Sequence, residues 1–476
     1  MGKIKGFFGR KNIRNVIIVL IGNIFTIISS ILIGFFVPKM MGQVDFGYYK
    51  TFHLYFDYTP FLSIGFSDGI YLIFAGTAYE HLDKPKFRMF FKMLFASMAI
   101  LSLLVCGISA FFLNTDYGFI LFFDGLTILL SNLLNYFQYL SRVTERYTEL
   151  TFRDILKACL NMVSVITLFV LYKMGIMSAL YYKLYVVIFV SILAVIVIMY
   201  AIKYREILFV GETAKMKDNK ALIKDIFCLG VPLMIANFVN SFILLIDRQF
   251  VNVTFDKTTF AIYAFAYSML GFITVAISAI STVLFPVLKR IDPNNLKDKY
   301  VNLLSAVAIV VAVCLTGYFP IYWICENFLN NYMESMQYFR IILPGLMISS
   351  SITMVMYNYY KAMNAITEYF VKSIIVLVIA FISDLVAYLI FKTPVAISIA
   401  SIITYVIWYF VVEFKFYRTW KLNYFRNIVY LLLISAAFYL ITMINNVYIA
   451  FGVWVAAFVV ITIPVQFKII KSKFKI

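Results

Sequence analysis

Three ionisable residues, Lys50, His53 and Asp57, are the first candidates for chemistry in this chain. Their spacing of i, i+3 and i+7 places them on one face of an α-helix, within a mostly apolar stretch. A lysine and an imidazole can bind a phosphate, and a carboxylate can exchange a proton or a sodium ion. In a membrane helix Lys50 can alternatively extend to the surface, whereas the short side chain of Asp57 cannot and is expected to face a cavity.

Other charged residues also occur within apolar segments. Lys183 lies between tyrosines in YYKLYVV, and Asp247-Arg248 is an adjacent pair of opposite charge. Extension to the surface is the alternative for Lys183, and a structural ion pair is as good an interpretation of Asp247-Arg248 as substrate contact. For the single acids Asp124 and Asp384 the default interpretation is hydrogen bonding between helices. The predicted substrate-binding residues are Lys50, His53, Lys183, Arg248, Asn23 and Asn237, and the predicted ion-coupling residues are Asp57 and Asp247.

The composition places these residues in a polytopic membrane protein. Hydrophobic residues make up 63% of the 476 and charged residues 13%, against roughly 25% charged in soluble proteins. Apolar runs recur that are long enough to cross roughly 30 Å of hydrocarbon as helices. The net charge of +18 does not indicate nucleic-acid binding, because the lysines and arginines fall in short loops, as the positive-inside bias requires.

Apolar runs separated by charged breaks predict fourteen transmembrane helices in an all-α protein. Their approximate cores are 14–37, 46–65, 90–113, 118–140, 154–172, 176–200, 226–251, 259–286, 301–324, 338–360, 370–391, 395–414, 427–445 and 447–467. With the N-terminus inside, 33 of the 41 lysines and arginines lie on the inner side and 5 on the outer side. Both termini are therefore predicted to be cytoplasmic.

A weak internal repeat divides the chain. A shift of 214 residues brings the first and seventh spans into register, with six spans per copy. An even number of spans keeps both copies in one orientation, which predicts two six-helix bundles in parallel repeat plus two C-terminal helices. The predicted domains are 1–202, a basic cytoplasmic linker 203–225, 226–420, and the extra helix pair 421–476. The aligned pairs include Asn23 with Asn237, Phe46 with Phe260, Tyr49 with Tyr263 and Lys50 with Ala264.

No catalytic motif occurs in the sequence. There is no GxxxxGK[ST], HExxH or GxSxG, and we expect that no ATPase domain is encoded. Five scattered cysteines and two distant histidines do not match a disulfide framework or a metal site. We therefore expect no catalytic residues, no metal and no cofactor, and energy from an ion or substrate gradient.

The segment PKMMGQVDFGYY (38–49) and the sequence IDR followed by FAIYAFAYSML carry a family resemblance. The first matches the pattern Pro-x-x-(Leu/Met)-Gly-x-x-x-(Phe/Tyr)-Gly-x-Tyr, and VLFPVLKR (283–290) is similar to the end of an eighth helix. In these segments the chain resembles bacterial polysaccharide flippases of the Wzx type, in the multidrug/oligosaccharidyl-lipid/polysaccharide exporter superfamily. The resemblance is strongest in 13–80 and 226–290.

The resemblance implies translocation of an undecaprenyl-diphosphate-linked oligosaccharide, for O-antigen or capsule, across the bacterial inner membrane by alternating access. The family's cationic cavity would be filled here by Lys50, Lys183 and Arg248, although acids lie among these few cations. A lipid II flippase and a drug/cation antiporter of the same superfamily are alternatives. A polytopic polymerase or ligase enzyme fits less well. The implied partners are membrane lipid, H⁺ or Na⁺, and polysaccharide polymerase machinery.

Overall fold

The computed structural model describes residues 10–289, 293–363, 365–421 and 425–473. Within these ranges the chain forms α-helices, short 3-10 turns and one π-helical segment, without a β-strand. The chain divides into two compact units, Met1–Phe238 and Val239–Ile476. The termini, predicted to be cytoplasmic, lie outside the described residues, and the predicted linker 203–225 stays a prediction.

The first unit contains eight helices and most of a ninth, which crosses the boundary between the units. They are α1 (Arg10–Met40), α2 (Gln43–Phe56), α3 (Phe66–Phe74), α4 (Lys84–Ala110), α5 (Asp116–Val143), α6 (Tyr147–Lys173), α7 (Tyr182–Lys203), α8 (Arg205–Leu208) and α9 (Lys220–Ile243). Aromatic and aliphatic side chains of α3, α4, α5 and α7 form its buried core. The helices α1 and α6 pack against each other.

The second unit contains the remaining helices. They are α10 (Ile246–Thr254), α11 (Lys257–Lys289), α12 (Pro293–Cys314), α13 (Tyr318–Phe328), α14 (Ser335–Ile342), α15 (Gly345–Ser350), α16 (Tyr357–Ala362), α17 (Ile366–Phe391), α18 (Pro394–Trp420), α19 (Phe425–Ile441) and α20 (Val447–Lys473). A π-helical segment, Ser351–Met356, joins α15 to α16. The pairs α17–α18 and α19–α20 pack against each other.

Ten helices among the described residues are long and apolar enough to cross a membrane, or eleven when one bent pair is counted as a single span. All fourteen predicted cores overlap helical segments, but several differ in form. The second is broken, the seventh is divided between α9 and α10, the ninth contains a 3-10 turn between α12 and α13, the tenth bends by 41°, the thirteenth is the 17-residue α19, and the eighth runs into residues whose side chains are not described. The motif VLFPVLKR (283–290) falls in that last part. The number fourteen therefore stays a prediction.

The second predicted span, 46–65, is not one helix. α2 ends at Phe56, a 3-10 turn follows from Thr59, and α3 begins at Phe66. Pro60 lacks a backbone N–H and disfavours helical geometry in the residue before it, and Ile64 and Gly65 both have positive φ values of 51° and 72°. The break places Asp57 at the C-terminal end of α2 rather than in the middle of a continuous span.

The broken segment is held in place by a close helix crossing within the first unit. A Cβ atom on Gly69 of α3 would lie 2.0 Å from the carbonyl oxygen of Ile226, and one on Gly230 of α9 would lie 2.0 Å from that of Gly65. Only glycine permits this approach, because either Cβ would overlap backbone atoms. Asn132 of α5 also donates to the carbonyl oxygen of Thr59 at 2.9 Å. The end of α2 is thereby fixed against α5.

Candidate functional site

The helix α2 carries the first group of predicted site residues. Lys50 is half-buried, and its Nζ lies 5.1 Å from the ring centroid of Phe46 and 5.3 Å from that of Tyr49. These distances are typical of cation–π contacts, which stabilise a lysine without neutralising it. Phe46 and Tyr49 are themselves buried, so they fix the orientation of this face of α2.

His53 lies one turn further along α2, among aromatic rings. Its ring centroid is 4.5 Å from that of Tyr49 and 4.9 Å from that of Phe189 on α7, and both contacts are edge-on. Its Nε2 is buried and has no hydrogen-bond partner among the described residues. An imidazole held in this way retains a free donor or acceptor for a ligand or a water.

Lys157 of α6 belongs to the same face, although its place in the sequence did not indicate this. It is half-buried and lies within electrostatic reach of His53 and Asp57. α6 begins at Tyr147, so Lys157 is about 15 Å inside the helix at 1.5 Å per residue. In the predicted fifth span, with its core at 154–172, Lys157 is only the fourth residue and lies at the cytoplasmic end of the span. We call Lys50, His53 and Lys157 the basic face.

Asp57 is exposed at the end of α2, beside the basic face. Asp124 of α5 lies within electrostatic reach of Asp57 and is 5% exposed. Neither of its carboxylate oxygens has a hydrogen-bond partner among the described residues. The expectation that Asp124 makes a hydrogen bond between helices is therefore wrong for the part of the chain that the structure describes. A buried carboxylate without a donor is costly and is retained most often for a function.

Lys183 lies at the end of its helix and not deep within a span. α7 begins at Tyr182, because Tyr181 before it is extended and Leu180 donates its N–H to the carbonyl oxygen of Met40. The Lys183 ammonium lies 3.2 Å from Asp116, whose carboxylate also accepts a 2.5 Å hydrogen bond from the hydroxyl of Tyr182. Lys183 is therefore the second residue of α7, although the predicted core 176–200 had placed it seven residues inside a span. The pair is partly exposed, and Asp116 lies just outside the predicted core 118–140.

Asp247, in the first turn of α10, is the centre of a buried polar cluster in the second unit. It is 1% exposed and accepts hydrogen bonds from the backbone N–H of Arg248 at 2.7 Å and from the hydroxyls of Tyr263 and Ser401, each at 3.1 Å. The buried Asp384 of α17 lies within electrostatic reach, and neither of its oxygens has a hydrogen-bond partner among the described residues. We call Asp247 and Asp384 the acidic pair.

Arg248 is turned away from a close ion pair with its neighbour. Its Nε is 4.0 Å from the carboxylate of Asp247, while its Nη2 donates to the carbonyl oxygen of Leu244 at 2.6 Å. The guanidinium carbon lies 4.5 Å from the ring centroid of Tyr267. Arg248 therefore offsets only part of the charge of the acidic pair.

The two predicted asparagines lie on different helices. Asn23 is half-buried on α1, next to the contact where a Cβ on Gly22 would be 2.9 Å from Thr151 of α6. Asn237 is half-buried on α9, and its neighbour Asn240 accepts a 2.8 Å hydrogen bond from the hydroxyl of Tyr369. The structure places Lys50, His53 and Asp57 together on α2 and at its end, and the two asparagines on α1 and α9.

The two groups of charges suit different ligands. The basic face can bind an anion, with two lysines and an imidazole against the carboxylate of Asp57. The acidic pair, with hydroxyls from Tyr263 and Ser401, can hold a proton or a small cation, which relieves the repulsion between two carboxylates in a low dielectric. Among the described residues no group of three or more His, Cys, Asp or Glu is arranged to hold a metal ion.

Comparison with solved structures gives matches along nearly the whole chain. A lipid II flippase MurJ in an inward closed conformation matches with a TM-score of 0.70 and 13% identity, over 96% of this chain and 100% of the other. An inward-facing multidrug resistance MATE transporter of the MOP superfamily matches with a TM-score of 0.57 and 11% identity, over 84% of this chain and 96% of the other. A MOP superfamily transporter from Pyrococcus furiosus matches with a TM-score of 0.53 and 12% identity, over 85% of this chain and 95% of the other. At these identities the likeness concerns the fold.

A search of curated proteins gives no match. The profile of the family described as polysaccharide biosynthesis protein matches residues 13–292, more than half of the chain. This range includes the basic face and Asp247, and it agrees with the resemblance to Wzx-type flippases. The chain is a member of the polysaccharide biosynthesis protein family, a multi-pass membrane protein with the fold of the MOP superfamily transporters.

Proposed function

We propose that the protein is a flippase that moves an undecaprenyl-diphosphate-linked oligosaccharide from the cytoplasmic to the outer leaflet for surface polysaccharide biosynthesis. The observation that carries the proposal is the basic face, placed within apolar helices of a chain that belongs to this family. A charged group deep in a membrane protein requires a functional reason. The diphosphate of the lipid carrier supplies one.

The basic face would bind the diphosphate, and the surrounding aromatic rings would contact sugars. Lys50 and Lys157 contribute point charges, and His53 contributes a hydrogen bond from Nε2. The rings of Tyr48, Tyr117 and Tyr182 lie close together near Lys183, with Tyr48 and Tyr182 stacked at 5.3 Å. Lys183, Arg248, Asn23 and Asn237 remain proposed substrate contacts of secondary importance. Alternating access would carry the bound group across.

Ion coupling is proposed for the two predicted acids. Asp57 could exchange a proton beside the basic face, where a change of its charge would alter the affinity for the diphosphate. Asp247, with Asp384, would bind H⁺ or Na⁺ in the second unit, because the pair is buried and only partly compensated. Since the chain has no nucleotide-binding motif, a gradient is the proposed energy source.

Two alternatives remain within the same superfamily. A lipid II flippase would use the same diphosphate chemistry, and the similarity to the lipid II flippase MurJ favours it as the second candidate. A drug/cation antiporter is supported by the acidic pair but leaves the basic face without a role. The similar solved structures are named as a flippase and transporters, which favours a transporter over a polymerase or ligase. The proposed location is the bacterial inner membrane, with both termini cytoplasmic and polymerase machinery as a partner.

Deletion of the gene tests this proposal. We expect lipid-linked oligosaccharide to accumulate in the inner leaflet and surface polysaccharide to fall, with both restored by the wild-type gene. Unchanged surface polysaccharide in the deletion strain would contradict the assignment. Accumulation of lipid II instead would identify the second candidate, and a change confined to drug susceptibility would identify the antiporter.

A further inference from the structure

The second unit contains a polar hollow that the proposed transport function does not use. It has a volume of about 290 Å³ and lies between α13, α14 and the connection from α19 to α20. Its lining, within the part of the chain that the structure describes, contains no acidic residue. Its polar lining residues are Tyr318, Tyr322, Gln337, Arg340, Thr442 and Asn445.

Arg340 gives this hollow a net positive charge. It is half-buried in the last turn of α14, and none of the described carboxylates lies within 4.0 Å of it as an ion-pair partner. The hydroxyl-bearing rings of Tyr318 and Tyr439 lie within its electrostatic reach. An arginine surrounded by hydroxyl and amide groups is a good site for a phosphate, because its guanidinium can donate two parallel hydrogen bonds.

An apolar groove continues directly from the hollow. It has a volume of about 690 Å³ and shares Phe319 and Val447 with the hollow. The remaining lining residues are Thr316, Gly317, Pro320, Trp323, Tyr448 and Phe451. Trp and Tyr are typical of the level of lipid headgroups. The predicted orientation places Arg340 at the outer side.

Specific contacts hold the walls of the hollow and the groove together. The hydroxyl of Tyr439 on α19 donates to the carbonyl oxygen of Ile341 at 2.8 Å, and the indole N–H of Trp454 on α20 donates to Thr316 at 3.1 Å. The ring of Phe438 packs edge-on against Tyr318 and Trp454, with centroids 5.5 and 5.4 Å away. The concave surface is therefore a fixed part of the second unit.

We propose that the hollow and the groove together bind an anionic glycerophospholipid, with its phosphate at Arg340 and one acyl chain in the groove. One arginine matches a single phosphate, and a hollow of about 290 Å³ admits a glycerol headgroup but not an oligosaccharide. The continuity of a cationic hollow with an apolar groove matches the two parts of such a lipid. The site is independent of the proposed flippase activity.

Native mass spectrometry of the purified protein with added phosphatidylglycerol or phosphatidylcholine tests the headgroup. We expect the wild type to prefer phosphatidylglycerol, and Arg340→Ala to weaken its binding about tenfold, as loss of a charge-assisted hydrogen bond predicts. Arg340→Lys should retain part of the preference. Lys392→Ala, which removes an exposed cation predicted on the same side, is the matched control and should bind as the wild type does.

Gly317→Leu tests the groove. Gly317 has ordinary helical angles, φ −62° and ψ −15°, and a Cβ added to it would meet no atom within 4 Å, so leucine would fill the groove without strain. We expect it to weaken binding of dioleoyl phosphatidylglycerol severalfold and to leave the dihexanoyl lipid unaffected. Gly452→Leu, on α20 outside the groove lining, is the control. Equal affinity for both headgroups, no effect of Arg340→Ala, or displacement of phosphatidylglycerol by undecaprenyl diphosphate at this site would overturn the proposal.

Discussion

Tyr49 and Tyr263 occupy the same position of the proposed repeat, yet their surroundings have opposite charge. Both tyrosines are buried. The ring of Tyr49 lies against Lys50 and His53, whereas the hydroxyl of Tyr263 donates to Asp247. The shift of 214 residues pairs Lys50, His53 and Lys157 with Ala264, Tyr267 and Val371, and it pairs Asp247 and Asp384 with Ile33 and Val170.

Within the proposed repeat, the charged groups of the two halves occupy different positions. The aromatic residues that the proposed repeat pairs, Phe46 with Phe260 and Tyr49 with Tyr263, are all buried. Neither the basic face nor the acidic pair has a charged counterpart in the other half. We infer a division of labour in which the basic face of the first unit is the main site for the anionic substrate and the acidic pair of the second unit is the main site for the coupling ion, with Asp57 and Arg248 in secondary roles.

The largest effect is expected from reversing the charge at the centre of the basic face. Lys157→Glu should lower transport about a hundredfold, because it replaces a charge-assisted contact to the diphosphate by repulsion. Lys157→Arg should retain most activity. Lys173→Glu, at the exposed end of the same helix, is the control and should have little effect. Equal losses in Lys157→Glu and Lys173→Glu would show that the basic face has no specific role.

A smaller effect is expected from Asp384→Asn, which should remove one charge of the acidic pair without removing a hydrogen bond. Ion-driven transport should fall about tenfold, while binding of the lipid-linked substrate should stay unchanged. Thermal stabilisation by added Na⁺, if sodium is the ion, should also be lost. Asp256→Asn is the control, since Asp256 lies in the exposed turn before α11, where hydrogen bonds from Thr259 lower its pKa. Weaker substrate binding in Asp384→Asn would contradict the assignment of substrate binding to the basic face and ion binding to the acidic pair.

The two members of the acidic pair should differ in their effect on stability. Asp247→Asn replaces an acceptor of three hydrogen bonds and should lower the free energy of unfolding by about 1–3 kcal/mol. Asp384→Asn should leave it unchanged or raise it, because a buried charge without a donor is removed. Thermal unfolding of both variants at low salt measures the difference. Equal destabilisation by both substitutions would contradict the described hydrogen bonding.

The smallest effect is expected at Lys183. Its side chain is 45% exposed and is paired with that of Asp116, which is 38% exposed, and such pairs contribute about 0–1 kcal/mol. Lys183→Ala should therefore reduce transport by no more than about fivefold, as measured beside Lys157→Glu. A loss as large as that of Lys157→Glu would move the centre of the anion site to the end of α7.

Hydropathy and charge bias were sufficient to predict the helical segments, but the contacts between them were not encoded locally. The break after Asp57 depends on Pro60, which the sequence displays, and on the approach of Gly69 to Ile226, which it does not. Lys157 was missed because a hydropathy core begins where residues become apolar, several residues after the helix itself begins. The lack of a partner for Asp384 among the described residues is a property of three-dimensional packing that no spacing rule can indicate.

The measurement that tests the division of labour most directly is translocation in proteoliposomes, with a fluorescent oligosaccharide linked to undecaprenyl diphosphate. We expect ion-gradient-dependent transfer by the wild type, strong loss in Lys157→Glu, and no transfer of the same oligosaccharide on an uncharged polyprenol. Transfer of the uncharged lipid at the wild-type rate, with Lys157→Glu fully active, would contradict the role of the basic face.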